Sequence, residues 1–138
     1  MFGSTPQVDL EMLIYIHDQI IESTGGAKGF HDVGLIESAL ARPHQSAFGN
    51  DIHEHMFDKA AAMLDSIAKN HGFKDGNKRT AMAAASFYLY LNGYLLSITN
   101  LEYEEFMLHV VNDKPVIAEI HEWLKEHSSP RSDLGLPL

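Results

Sequence analysis

The chain has 138 residues, no cysteine and a net charge of −9, with 45% of its residues hydrophobic. That length and balance suit one ordinary globular domain with one core, and the lack of cysteine excludes a disulfide framework and a thiolate zinc site. The acidic balance argues against bulk attraction to nucleic acid or an anionic membrane, and no apolar run approaches the roughly 18 residues of a membrane helix.

Leu10, Leu13, Ile14, Ile16, His17, Ile20 and Ile21 recur at spacings of three and four, which predicts a helix over 8–22. The glycines of Ser23-Thr24-Gly25-Gly26-Ala27-Lys28-Gly29 make a loop. Asp32 caps a short helix that runs to Ala41, and Pro43 ends it. His44, Gln45, Ser46, Ala47 and Phe48, on to Asn50, have no helical period and are expected to form a surface hairpin or flap. Asn50 or Asp51 should cap a helix to Lys69, with Met56, Ala60, Met63, Leu64 and Ile67 on its apolar face. A further helix, 77–91, carries the small run Ala81-Met82-Ala83-Ala84-Ala85, which suits a central helix, and Gly93 is its expected C-cap. Leu95-Leu96-Ser97-Ile98 is a brief extended link. Thr99 and Glu102 form a capping box for a helix to Val111, and Pro115 fits the first turn of a last helix. Ser128-Ser129-Pro130-Arg131 onward is expected to be a flexible tail, 128–138. The expected fold is a compact all-α bundle of about six helices with a small β-hairpin flap. It forms a single domain, 1–138, with its core over 8–127. Met1 to Pro6 lacks the pattern of a signal peptide, so the expected location is cytoplasmic.

The stretch from His71 to Ala81 concentrates the chemistry. It lies where one helix stops and another begins, so it joins a loop to a helix N-terminus with its free N–H groups and partial positive charge. That is a ready phosphate site. Lys74, Lys78 and Arg79 form a local cationic cluster in an acidic chain, which suggests a discrete anionic ligand. His71 is the candidate base, and Asp75 the candidate magnesium ligand. Gly76 permits close approach of the backbone to phosphate. Asn77 can donate its amide to phosphate or cap the helix. Arg79 can grip two oxygens, while Phe73 is expected to be buried as a structural pin.

His71, Phe73, Asp75, Gly76, Asn77, Lys78, Arg79 and Ala81 also match in register the signature of the Fic/Doc family. The resemblance is to its Doc version: the Fic version has Gly at the place of Lys78 and Arg at the place of Met82. It extends upstream through 34–43. It implies the Fic fold and a toxin-type protein kinase. His71 would activate a Thr or Ser hydroxyl on a target protein, Asp75 would hold Mg2+, and Lys74, Gly76, Asn77, Lys78 and Arg79 would hold the phosphates of ATP or another nucleoside triphosphate. The implied target is elongation factor Tu, the outcome translation arrest, and the flap would align the target beside His71. A Phd-like antitoxin would cover the site. No Ser or Thr is followed four positions later by Glu, so the inhibitory motif of some Fic proteins is absent.

Four rival readings stand beside this one. An adenylyltransferase would attach AMP instead of phosphate. A metal phosphohydrolase would use the pairs His17-Asp18 and His31-Asp32. A P-loop ATPase would need a Gly directly before Lys78 and a preceding strand. A non-catalytic binding module would keep the loop only as structure.

Overall fold

The structure is a computed structural model and describes residues 7–47, 50–51 and 55–132. Six helices run in order: α1 (Leu10–Thr24), α2 (Val33–Ala41), α3 (Met56–Asn70), α4 (Asn77–Leu91), α5 (Asn100–Asp113) and α6 (Ile117–Glu126). A single 3-10 turn, Arg42–His44, follows α2. Two small antiparallel sheets complete the fold. In one, β1 (Ser46–Ala47) pairs with β2 (Asn50–Asp51). In the other, β3 (Tyr94–Leu96) pairs with β4 (Ser128–Pro130), with Leu96 opposite Ser128. Among the described residues, no helix is long and apolar enough to cross a membrane.

The central helix is α3, not α4. Every residue from Lys59 to Ala68 is buried, because α2, α4, α5, α6 and the 3-10 turn all pack around it. Ala60, Ala61 and Ala62 on α3 and Ala81, Ala84 and Ala85 on α4 are all fully buried. Small side chains let helix axes come close, so the contact is mainly backbone against backbone. Leu64, Ile67, Tyr88, Leu89, Met107, Val110, Ile120 and Leu124 fill the rest of the core.

Two caps follow expectation. Asp32 accepts from the Gly34 N–H at the start of α2, and Thr99 and Glu102 make both bonds of a capping box on α5. Several boundaries need correction. The α3 cap is His55, whose Nδ1 accepts from the Phe57 N–H, not Asn50 or Asp51. Asn92 caps α4, and Gly93 is the next, left-handed residue. Pro115 precedes the Val116 cap of α6 instead of lying in its first turn. The segment 128–130 is not a tail but strand β4. Beyond it, the Arg131 N–H donates to the Gly93 carbonyl, and the Arg131 guanidinium sits 3.9 Å over the Tyr90 ring.

Candidate active site

The α3–α4 junction is fastened from behind by the α1–α2 loop. The Gly72 carbonyl accepts from the N–H groups of His31 and Asp32, and the Lys74 N–H donates to the Gly29 carbonyl. Phe30 and Phe73 form an isolated antiparallel bridge. Any side chain on Gly72 would collide with Ile36 of α2, so only glycine fits there. Phe73 is buried as expected, between the Phe30 ring and the ring of His17. Gly76, at φ 80°, turns the chain into α4.

The front of this junction is open. His71 ends α3 in the left-handed conformation, φ 53° and ψ 43°, and its side chain is exposed. A residue with a β-carbon holds that conformation at a cost of about 1–2 kcal/mol. Strain of this kind, held by surrounding structure, is common where a side chain must be aimed. Gly76 has no side chain to cap α4, and the first main-chain bond of the helix is Thr80 N–H to the Gly76 carbonyl. Among the described residues, the N–H groups of Asn77, Lys78 and Arg79 therefore have no partner. They face outward at the positive end of the helix dipole.

A cleft of about 240 Å³ gathers His71, Lys74, Asp75, Gly76, Asn77 and Lys78, closed by Ala68 of α3 and Val111 of α5. Neither Lys74 nor Lys78 has an ion-pair partner among the described residues, so both charges are available to an anion. Six of the residues expected at the site therefore share one cleft.

Two residues behave differently from expectation. The Asn77 amide is engaged: its Oδ1 accepts from the Phe73 N–H and its Nδ2 donates to the Phe73 carbonyl, each at 3.0 Å. It is a staple across the loop, and what it turns toward an anion is its main-chain N–H. Arg79 does not line the cleft. Its guanidinium lies 4.8 Å from the centre of the Tyr103 ring, in a separate hollow with Ile20, Met82 and Ile98. Lys78 lines the cleft and Arg79 lines that other hollow, so the two cations do not share one pocket. Burial raises the Tyr103 hydroxyl pKa, while the Arg79 charge opposes that rise.

Asp75 is held at both ends. Its Oδ2 accepts from the Ala27 N–H at 2.6 Å, and its main-chain carbonyl accepts from His17 Nε2 at 2.7 Å. Its Oδ1 has no partner among the described residues. One free carboxylate oxygen beside a row of N–H groups fits a magnesium ion that keeps most of its ligands from water and polyphosphate. Among the described residues, no group of three or more His, Cys, Asp or Glu side chains could hold a metal. His17 is committed to the loop, His31 is exposed, and Asp32 is a helix cap.

The flap region is partly corrected. His44 belongs to the 3-10 turn rather than to a hairpin, and Phe48 lies outside the described residues. Gln45 and Ser46 are exposed, with β1 beginning at Ser46 and running through Ala47. The root of this segment is pinned to α3. Arg42 donates to Asp65 Oδ2 and Ser66 Oγ, and buried Lys59 donates to the Pro43 carbonyl. Lys69 completes the cluster, its Nζ 2.6 Å from Asp65 Oδ1 in an ion pair whose angles fall short of a hydrogen bond.

Residues 7–89 match the Fic/DOC family, which spans α1 to α4 and the whole loop. The chain belongs to the Fic/Doc family. It is 48% identical over 73 residues to "Toxin Doc" of Mycolicibacterium smegmatis, a stretch covering 53% of this chain and 56% of that protein. It is 36% identical over 83 residues to "Protein kinase doc" of Escherichia phage P1, covering 60% of this chain and 65% of that protein. The chain thus spans less than two thirds of each relative. Both are Doc proteins, in keeping with Lys78 at the position that separates the Doc and Fic signatures. Val111, which closes the cleft, and Tyr103, which holds Arg79 away from it, were not foreseen, and both lie beyond the family match, on α5. Their only mark in sequence is apolar periodicity. His17 was legible as a polar residue in the buried series Leu13, His17, Ile21.

Proposed function

We propose that this chain is a Doc-type phosphotransferase, a protein kinase that moves the γ-phosphoryl group of a nucleoside triphosphate to a Thr or Ser hydroxyl. The observation that carries this reading is one cleft that gathers an exposed imidazole, the Asp75 carboxylate, two lysines and the helix N–H groups of Asn77 and Lys78, with Oδ1 of that carboxylate, both lysine charges and both N–H groups lacking partners among the described residues. The amides and lysines grip phosphate oxygens, and charge stabilisation of this kind is most of what phosphoryl transfer asks of a protein. His71 takes the proton of the attacking hydroxyl. The hydroxyl oxygen bonds to the γ-phosphorus, the bond from that phosphorus to the bridging oxygen breaks, and ADP leaves with the electron pair. Asp75 Oδ1 would hold Mg2+, which neutralises charge on the β- and γ-phosphates.

Lys78 favours phosphate transfer over AMP transfer. A long cationic side chain occupies the cleft wall where Fic chains have glycine, which supports an inverted nucleotide with its γ-phosphate toward His71. The family resemblance supplies the rest of the reading: a cytoplasmic toxin, elongation factor Tu as target, translation arrest, and a Phd-like antitoxin that covers the cleft. The exposed Ser46 edge offers a place for a target strand to pair.

Incubation with Mg2+, γ-labelled ATP and elongation factor Tu should transfer label, and His71→Ala should abolish transfer. The factor should gain about 80 Da, against about 329 Da for AMP transfer. Unlabelled factor rejects the target, label that survives His71→Ala rejects the base, and the larger mass rejects phosphate transfer.

A further inference from the structure

We infer that His17 is a positioning residue for the phosphate loop: from beneath, it sets the aim of the Asp75 carboxylate and of the first α4 amides. The inference rests on the phosphotransfer reading above. His17 lies one helical turn from both Leu13 and Ile21 on the buried stripe of α1, and it is 1% exposed. An apolar residue would fill that place without the cost of burying an imidazole, so the ring must be offset by partners.

All but one of its partners lie on or beside the loop. The ring stacks face to face on Phe73, centroids 3.9 Å apart and planes 7° from parallel. Nε2 lies 2.7 Å from the Asp75 carbonyl; a carbonyl only accepts, so Nε2 carries the hydrogen. Nδ1 faces Asp18 Oδ1, on α1 itself, at 3.1 Å. A β-carbon on Gly76 would lie 3.7 Å from the ring's Cδ2 and Nε2, so the imidazole also backs the residue that opens α4. His17 therefore supports Phe73, Asp75 and Gly76 together. Asp75, Gly76, Asn77 and Lys78 in turn line the cleft. Tilting the Asp75–Gly76 peptide would swing these groups, and small misplacements of aligned groups are costly in transfer reactions. The base is spared, since His71 is fixed by the end of α3.

The test compares His17→Leu, which keeps bulk and removes the donor, with His17→Gln, whose Nε2 can reach the Asp75 carbonyl. Both are measured for Mg·ATP binding and for transfer. For His17→Leu the KM for ATP and the Mg2+ concentration for half-maximal rate should rise about 10- to 100-fold, the range for residues that orient ligands from behind. For His17→Gln both should stay within about threefold. The limb of the pH–rate profile set by His71 should not move in either. A purely structural defect would lower the active fraction, hence kcat, and leave KM and the Mg2+ requirement alone. Should His17→Leu fail to fold, His17→Asn replaces it, since its shorter amide falls short of the Asp75 carbonyl. Unchanged KM and Mg2+ requirement in the donor-free variant, or equal losses with Gln, overturn the inference. A wild-type chain that binds no Mg·ATP and transfers no label overturns the phosphotransfer reading itself, and this inference with it.

Discussion

Replacing Asn77 separates the two jobs its position suggests. Its amide makes two hydrogen bonds to the Phe73 main chain, each 3.0 Å, beside a side chain that is only 2% exposed. Asn77→Ala removes both and leaves an N–H and a carbonyl without protein partners. Each bond contributes about 1 kcal/mol net, and a buried group left unsatisfied adds to the loss, so the expected destabilisation is about 2 to 4 kcal/mol. For a chain of this size that lowers the thermal midpoint by roughly 10 °C. Asn77→Asp keeps the acceptor for the Phe73 N–H and puts a negative charge at the helix N-terminus. Its loss should be smaller, about 1 kcal/mol, because the dipole partly offsets the missing donor. Nucleotide binding should rank the other way: the carboxylate repels phosphate, so Asp should bind about tenfold or more worse than Ala at a temperature where both are folded. Thermal unfolding by circular dichroism and titration with a fluorescent ATP analogue measure the two rankings. If Asn77→Ala unfolds at the wild-type temperature, the staple contributes nothing and the reasoning fails.

Other outcomes follow from single groups. Thr80 is fully buried and its hydroxyl has no partner among the described residues, so Thr80→Val should leave stability unchanged or raise it by about 1 kcal/mol in urea unfolding. Tyr88→Phe should act similarly: its hydroxyl is buried without a partner among the described residues, and burial pushes its pKa up to about 12. Gly76→Ala should cost about 1 kcal/mol or more, since φ 80° disfavours a β-carbon that would also press on Ile21 Cδ1 at 3.1 Å. His109 pairs with Asp113 on its own helix α5 at 2.7 Å and joins α5 to α6 through Glu119 at 2.5 Å, and those hydrogen bonds raise its pKa above the ordinary 6.5. Below 6.5 the ring is charged in folded and unfolded chains alike, and the pairing contributes in full. As pH rises the unfolded chain releases its proton first, and the contribution is gone once pH passes the raised folded value. The thermal midpoint should therefore fall as pH rises above 6.5, and His109→Gln should flatten that slope.

Much of the site was legible because its signals are local. The α4 helix and its start follow from Gly76 and the alanine run, and the exposure of His71 and burial of Phe73 follow from a loop between two helices. The misreadings came from long-range structure. Ser128-Ser129-Pro130 has no strand pattern of its own; its partner Tyr94–Leu96 lies more than thirty residues back. Asp51 is the stronger cap by residue type, yet the chain spends 50–51 pairing with 46–47 and starts α3 from His55. Lys78 and Arg79 look like one cluster in a line of text and line two separate pockets. Asn77 is two-faced by chemistry, and only the position of Phe73 shows which use its amide takes. His17 stood out as a polar residue in an apolar series, but its partner at Nε2, the Asp75 carbonyl, lies 58 residues away.

The short ribbon of β3 and β4 makes the last helix answerable to the first turn of α3. Tyr94 meets Phe57 edge to face, and Phe57 stands next to the residue that starts the helix ending at His71. Trimming the chain back to Glu126 would strip β3 of its only neighbour in that sheet and loosen the ring that wedges this corner. A deletion far from the cleft in both sequence and space would then be felt along the whole rod that holds up the imidazole.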